Sequence, residues 1–295
     1  MEQGDSGFFT KQTIGIIGLG LIGGSYAKGL RRLGVQHILA VDIDETALTQ
    51  AKADGVIDEG YTSGTNALQQ ADMLIFCMAA DTMIAFIKNN ISYFKKDVLL
   101  TDVAGIKGNI ATQIRDMLPD GMDFVPGHPM AGREGRGYGM SQAEIFHHAN
   151  YIIVPTEFNT AVHIQTVREM ANALGCAHVV TVTPQEHDQF IAYTSSLPHV
   201  LATALVNSDA MNPMTKFFVA GSFRDGTRVA DINAPLWTQL FLSNKENLLY
   251  EIRRFSDSLR AFSIMLEQED ANNMTQYLQQ AAMRRKELVH ETNLR

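Results

Sequence analysis

Three glycines and one carboxylate, Gly18, Gly20, Gly23 and Asp42, have the types and spacing to hold a dinucleotide. In Gly18-Leu19-Gly20-Leu21-Ile22-Gly23 the first glycine permits a tight turn and the second lets the backbone approach a pyrophosphate. The third lets the following helix pack close to the preceding strand. Leu21 and Ile22 open that helix, whose first N–H groups and partial positive charge would face the phosphates. Asp42 ends the next apolar run, placed to accept hydrogen bonds from ribose hydroxyls and to repel a 2′-phosphate. No arginine immediately follows it, so the pattern favours NAD over NADP. Asp44, two residues on, is the competing carboxylate.

The elements that must position these residues can be read from the apolar pattern. Thr13–Leu19 is a short branched run suited to a buried parallel strand, a helical stretch follows from Leu21 to Leu33, and Gly34 suits its C-cap. His37–Val41 reads as the next strand. Similar runs recur at Met73–Met78, Val98–Thr101, Tyr151–Val154 and Ala177–Val182, with helical segments between most of them. Strands alternating with helices predict a parallel sheet covered on both faces. After Thr183-Pro184 the strand signal stops. Trp237–Met265 reads as one long helix, with Leu240, Phe241, Asn244, Leu248, Ile252, Phe255 and Leu259 largely at 3–4 spacing. The expected fold is therefore α/β, a Rossmann-like domain over residues 1–184, followed by an all-α substrate and dimerisation domain over residues 185–295. An apolar helical domain of this kind commonly packs against a second copy, so a homodimer is expected.

Composition narrows the class. The net charge of -8 argues against general nucleic-acid binding and gives no attraction to anionic membranes, so an anionic substrate needs a local cationic pocket. The first residues lack the basic start and apolar core of a signal peptide, and no run reaches the roughly 18 apolar residues of a membrane span. A cytoplasmic enzyme is expected, with no metal site. The two cysteines, Cys77 and Cys176, read as free thiols.

The remaining motifs are more specific than the fold. Gly18–Ser25 (GLGLIGGS), Thr101–Gly108 (TDVAGIKG) and Gly127-His128-Pro129-Met130-Ala131-Gly132 with Glu134 after it appear in this order. Glu186-His187-Asp188 and Ser195-Ser196-Leu197-Pro198-His199 follow. Gly221–Ala230 (GSFRDGTRVA) comes next, then Pro235-Leu236-Trp237 and Asn244-Lys245-Glu246-Asn247. Together these blocks resemble the prephenate dehydrogenase family over most of the chain.

The resemblance implies an NAD-dependent oxidative decarboxylation on the route to tyrosine. A base takes the proton of a ring hydroxyl while hydride leaves the same carbon for the nicotinamide. Carbon dioxide then departs from the opposite ring carbon and the ring becomes aromatic. His128 matches the base of the family's G-H-P-M-A-G block; a neutral imidazole with an ordinary pKa of about 6.5 suits that task. Arg228 matches the arginine that clamps a substrate carboxylate, His199 the second histidine of S-H-L-P-H at the substrate pocket, and Trp237 a wall of that pocket. Glu134 is carried over as a further substrate contact. Arg224 and Arg133 are weaker cationic candidates, and Lys107 either contacts the cofactor or caps a helix. His147 and His148 match no block and read as a solvated pair.

Two positions depart from the family pattern. Gly105 stands where the family has the serine whose hydroxyl orients the catalytic histidine, and Ser196 stands where it has the first histidine of S-H-L-P-H. The reading adopted is that Ser196, or its neighbour Ser195, supplies the orienting hydroxyl, so that Ser196→Ala depresses turnover more than affinity. The rival substrates are arogenate and amino-deoxy analogues. Rival classes are a hydroxyacid dehydrogenase or imine reductase of similar build, and a catalytically silent NAD-binding sensor. With no extra alternating-strand region after the helices, any inhibition by tyrosine is expected to be competitive.

Overall fold

The computed structural model describes residues 11–133 and 135–293, which fall into two compact units, one ending at Ile191 and the other beginning at Ala192. In the first unit six strands form a wholly parallel sheet: β1 (Thr13–Ile17), β2 (His37–Val41), β3 (Glu59–Tyr61), β4 (Met73–Phe76), β5 (Leu99–Asp102) and β6 (Asp123–Val125). Their order is β3-β2-β1-β4-β5-β6, which reverses direction between β1 and β4. Helices α1 (Leu21–Arg32), α2 (Glu45–Ala53), α3 (Ala80–Asn90) and α4 (Ile110–Arg115) make the crossovers.

Side chains alternate across a strand, so these apolar runs feed two separate cores. Met73 and Ile75 pack with Ile14, Ile16 and the α1 residues Tyr26, Ala27 and Leu30. Leu74 and Phe76 point the other way, to Leu39, Val41 and the α3 residues Met83 and Ile87. Burial on both faces is why the strands read as continuous apolar runs.

The expected single sheet is corrected by a second one. β7 (Gly127–Pro129), β8 (Asn150–Ile153) and β9 (His178–Thr181) form a three-stranded sheet in that order. β7 runs antiparallel to β8, with His128 opposite Ile152, and β9 runs parallel to β8. Helix α5 (Ala161–Ala173) connects β8 to β9, its first turn capped by Thr160. Helix α6 (Pro184–Ile191) closes the unit. The change of periodicity after residue 184 marks the end of the strands, but α6 still belongs to the first unit, because its buried His187 and Asp188 bond to other residues there.

The second unit is all helical: a π turn over Ala192–Ser196, then α7 (Leu197–Val206), α8 (Gly221–Thr227), α9 (Ala234–Ser243), α10 (Lys245–Glu267) and α11 (Ala271–Asn293). The long helix expected over Trp237–Met265 is interrupted at Asn244, which is buried and leaves helical geometry at φ -120°, ψ 30°. Its carbonyl accepts from Leu248 N–H at 3.0 Å and its side chain accepts from Asn247 at 2.8 Å, so one residue ends α9 and starts α10. Among the described residues no helix is long and apolar enough to cross a membrane.

One buried ion pair joins the two sheets of the first unit. Lys107 Nζ donates to both oxygens of Asp102, at 2.9 and 2.7 Å, and to the carbonyl of Gly127 at 2.6 Å. Both side chains are at most 2% exposed. Lys107→Met keeps the stem and removes the charge, leaving Asp102 without its cation. Urea unfolding of the full-length protein is expected to show a loss of about 3–5 kcal/mol, the usual cost of removing one partner from a buried pair; a loss below about 1 kcal/mol contradicts this account.

Candidate active site

The glycine turn leaves β1 with Gly18 at φ +94°, a left-handed conformation that also places a would-be Cβ 2.7 Å from the Cys77 carbonyl oxygen. A Cβ on Gly23 would stand 1.9 Å from the Gly18 carbonyl oxygen, so the helix can approach the turn only with glycine there. Gly20, by contrast, faces open space, with nothing within 4 Å of a Cβ. Leu21 and Ile22 form the first turn of α1, and Gly20 is its N-cap without any side chain covering the end. The sequence therefore folds into a bare helix N-terminus beside an open glycine, a cradle that fits a pyrophosphate.

Asp42 follows β2, the neighbour of β1 in the sheet. One of its oxygens accepts the Leu19 N–H and the other the Asp44 N–H at 2.9 Å. It thus braces the glycine turn and keeps further lone pairs for ribose hydroxyls. Asp44 has other work: its carboxylate accepts from Thr46 N–H at 2.9 Å and Ala47 N–H at 3.2 Å and caps α2. Of the two carboxylates, only Asp44 is committed to a helix cap.

His128 is the central residue of β7. Its backbone is fixed on both sides, by pairing with β8 and by Gly127, whose N–H donates to Asp102 at 3.1 Å and whose carbonyl accepts from Lys107. Glycine is required at 127 because a Cβ there would lie 2.4 Å from the Tyr151 hydroxyl. Lys107, expected either to touch a cofactor or to cap a helix, sends all three of its ammonium hydrogens to Asp102 and Gly127. Burial pushes its pKa down and Asp102 pulls it back in part.

The His128 ring is half-buried, and its Nδ1 lies 2.9 Å from Nε2 of His187 on α6. Desolvation, reinforced by Lys107 and by the neighbouring His187 ring, holds its pKa well below 6.5. Sequence reasoning expected a serine hydroxyl to orient this imidazole; here His187 takes that place on Nδ1, and Ser196 is a buried residue ending the π turn of the second unit. The signal was present in Glu186-His187-Asp188, but its partner lies 59 residues away.

The second unit gathers the other candidates. His199 on α7 stacks on Trp237 of α9 with ring centroids 3.6 Å apart at 28°. Its Nδ1 bonds the Ser195 carbonyl at 2.8 Å, so that nitrogen carries the proton and Nε2 the lone pair. Burial is the main cause lowering the His199 pKa, and the Arg228 charge adds to it. Arg228 opens an exposed single turn after α8. Arg224 is exposed on α8 and Arg133 on a loop. His147 and His148 are exposed, as expected, and Glu134 lies outside the described residues. Burial raises the thiol pKa of Cys77, and that of Cys176 to about 11, as inert free thiols require.

The chain is similar to known proteins over most of its length. Residues 26–181 match the family profile described as prephenate dehydrogenase, nucleotide-binding domain, and residues 183–280 the one described as prephenate dehydrogenase, dimerization domain. The chain belongs to the prephenate dehydrogenase family. Within it, the Bacillus subtilis prephenate dehydrogenase is 30% identical over 277 residues, 92% of this chain and 74% of that protein. The crystal structure of the A. aeolicus prephenate dehydrogenase in complex with hydroxyphenyl propionate and NAD+ superposes with a TM-score of 0.86 at 30% identity, covering 94% of this chain and 98% of that one. The Synechocystis arogenate dehydrogenase gives 0.82 at 26% identity, covering 94% and 99%. Membership of the prephenate dehydrogenase family makes the chain an NAD-dependent oxidoreductase.

The lowered pKa of His128 keeps its imidazole neutral, and so able to accept a proton, below pH 6.5. The acid limb of the pH profile of kcat/KM is accordingly expected below pH 6.5 in steady-state assays. The same shift has a stability consequence: below about pH 6.5 the unfolded chain binds a proton that the folded His128 refuses, so stability falls with pH from there downward. An acid limb above 6.5 would count against this environment.

Proposed function

We propose that this protein catalyses the NAD-dependent oxidative decarboxylation of prephenate to 4-hydroxyphenylpyruvate, with His128 as the base. The observation that carries the reading is a half-buried, neutral histidine held on a short strand in the same unit as the dinucleotide cradle. When bound, NAD supplies the hydride acceptor. His128 Nε2 takes the hydroxyl proton of the ring as its carbon becomes a ketone, and loss of the carboxylate across the ring restores aromaticity. Arg228 supplies the cation for a substrate carboxylate, which a chain of net charge -8 must provide locally. His199 and Trp237 give a flat stacked pair with an imidazole lone pair at its edge; Glu134 is a candidate substrate contact by resemblance alone, and Ser196 is a candidate only as a departure from the family pattern.

We place the reaction in the cytoplasm and read the functional unit as a homodimer. Support for the dimer comes from the dimerization-domain match and from apolar side chains on the outer surface of α10 and α11, among them Leu266, Leu278, Met283 and Leu288. Light scattering on this 295-residue chain is expected to give twice its 32.6 kDa.

Following NADH absorbance decides the substrate. NAD with prephenate is expected to give NADH, with NADP a poor substitute because of Asp42; a higher kcat/KM with arogenate would replace prephenate by its amino counterpart. Arg228→Met is expected to raise the KM for substrate by about 10- to 100-fold, the loss of a charged hydrogen-bonded contact of about 1.5–3 kcal/mol. An unchanged KM removes Arg228 from the site.

A further inference from the structure

We propose that His187 and Asp188 form a proton-ordering relay that aligns His128, replacing the hydroxyl that Gly105 lacks. The inference rests on His128 being the base, as read above. Asp188 is the fixed end. Its Oδ1 accepts the Lys107 N–H at 2.8 Å and its Oδ2 the Gly108 N–H at 2.6 Å. Two backbone donors on two oxygens leave a carboxylate with acceptors only. The contact between Asp188 Oδ1 and His187 Nδ1, 2.7 Å, must then be donated by the imidazole. Nδ1 of His187 carries the proton and its Nε2 the lone pair.

That lone pair lies 2.9 Å from His128 Nδ1. A lone pair needs a donor, so Nδ1 is the protonated nitrogen of His128 and Nε2 is left as the basic one. The order of protons follows from one end to the other: backbone amides fix Asp188, Asp188 fixes the tautomer of His187, and His187 fixes that of His128. His187 is fully buried and Asp188 only 5% exposed, so water does not compete for these bonds. The rings meet at 58° with centroids 5.1 Å apart, which is an in-plane approach of one nitrogen to the other and not a stack. When His128 Nε2 takes the substrate proton, its Nδ1–H stays hydrogen-bonded to His187, and Asp188 counters the charge through that ring. His187 and Asp188 are positioning residues; neither touches the reacting atoms.

The test compares His187→Leu, which removes the acceptor, with His187→Gln, whose amide oxygen can still accept from His128. Full-length protein is assayed with NAD and prephenate. His187→Leu is expected to lower kcat by about 100-fold, the low end of what general-base catalysis contributes, with KM within about twofold; His187→Gln is expected to recover most of the loss. NAD affinity and urea midpoints of both variants identify a folding defect. Independently of turnover, wild-type protein should show a strongly downfield, exchange-protected imidazole N–H proton that isotope labelling assigns to His128. It should be lost in His187→Leu. Turnover in His187→Leu within twofold of wild type, equal losses in both variants, or absence of the downfield proton from wild type would overturn the relay. A wild-type protein that shows the proton but forms no NADH with prephenate or arogenate sinks the reading of the reaction and leaves the hydrogen-bond order standing.

Discussion

A charged ammonium enclosed by protein is tolerable only where every hydrogen has an acceptor, and Lys107 meets that condition with three. Its bonds do more than neutralise it. Asp102 ends a strand of the parallel sheet, Gly127 begins a strand of the smaller sheet, and Lys107 holds the two together. The main-chain amides of Lys107 and Gly108 are turned the other way, onto Asp188. A single segment, residues 102–108, therefore sets the backbone on one side of His128 and the carboxylate behind His187 on the other. Without it His128 would have neither a fixed main chain nor, in the proposed relay, a fixed tautomer.

The nucleotide cradle and the base are built on different physical terms. The cradle depends on what is missing: side chains at Gly18, Gly20 and Gly23, and any cap on the first turn of α1. The base depends on what is present, a sequence of polar contacts each of which leaves one choice to the next. The two are connected through the core, where the Tyr26 hydroxyl on α1 donates to the Tyr151 hydroxyl on β8 at 3.2 Å, directly against Gly127.

Local features were legible in the sequence. Gly18, Gly20, Gly23 and Asp42 lie within one strand–turn–helix–strand unit, so their roles follow from spacing, and β1, β2, β4 and β5 follow from apolar runs. What depends on distant pairing was not legible. Gly127-His128-Pro129 shows no strand propensity and becomes β7 only by pairing with β8. The periodicity of α9 and α10 runs on through Asn244, so the break between them was invisible. Lys107 read as a cofactor contact or a helix cap, because burial with Asp102 and Gly127 is a tertiary property. His187 stood in a recognised block, yet its role needs His128 from 59 residues earlier.

The position of His187 in the chain has a consequence for synthesis. Every group of the nucleotide cradle precedes residue 43, and the last strand of the parallel sheet ends at Val125. The acceptor for His128 arrives only with α6. A nascent chain can thus complete its dinucleotide fold, with Lys107 already paired to Asp102, while the histidine still lacks a defined proton arrangement.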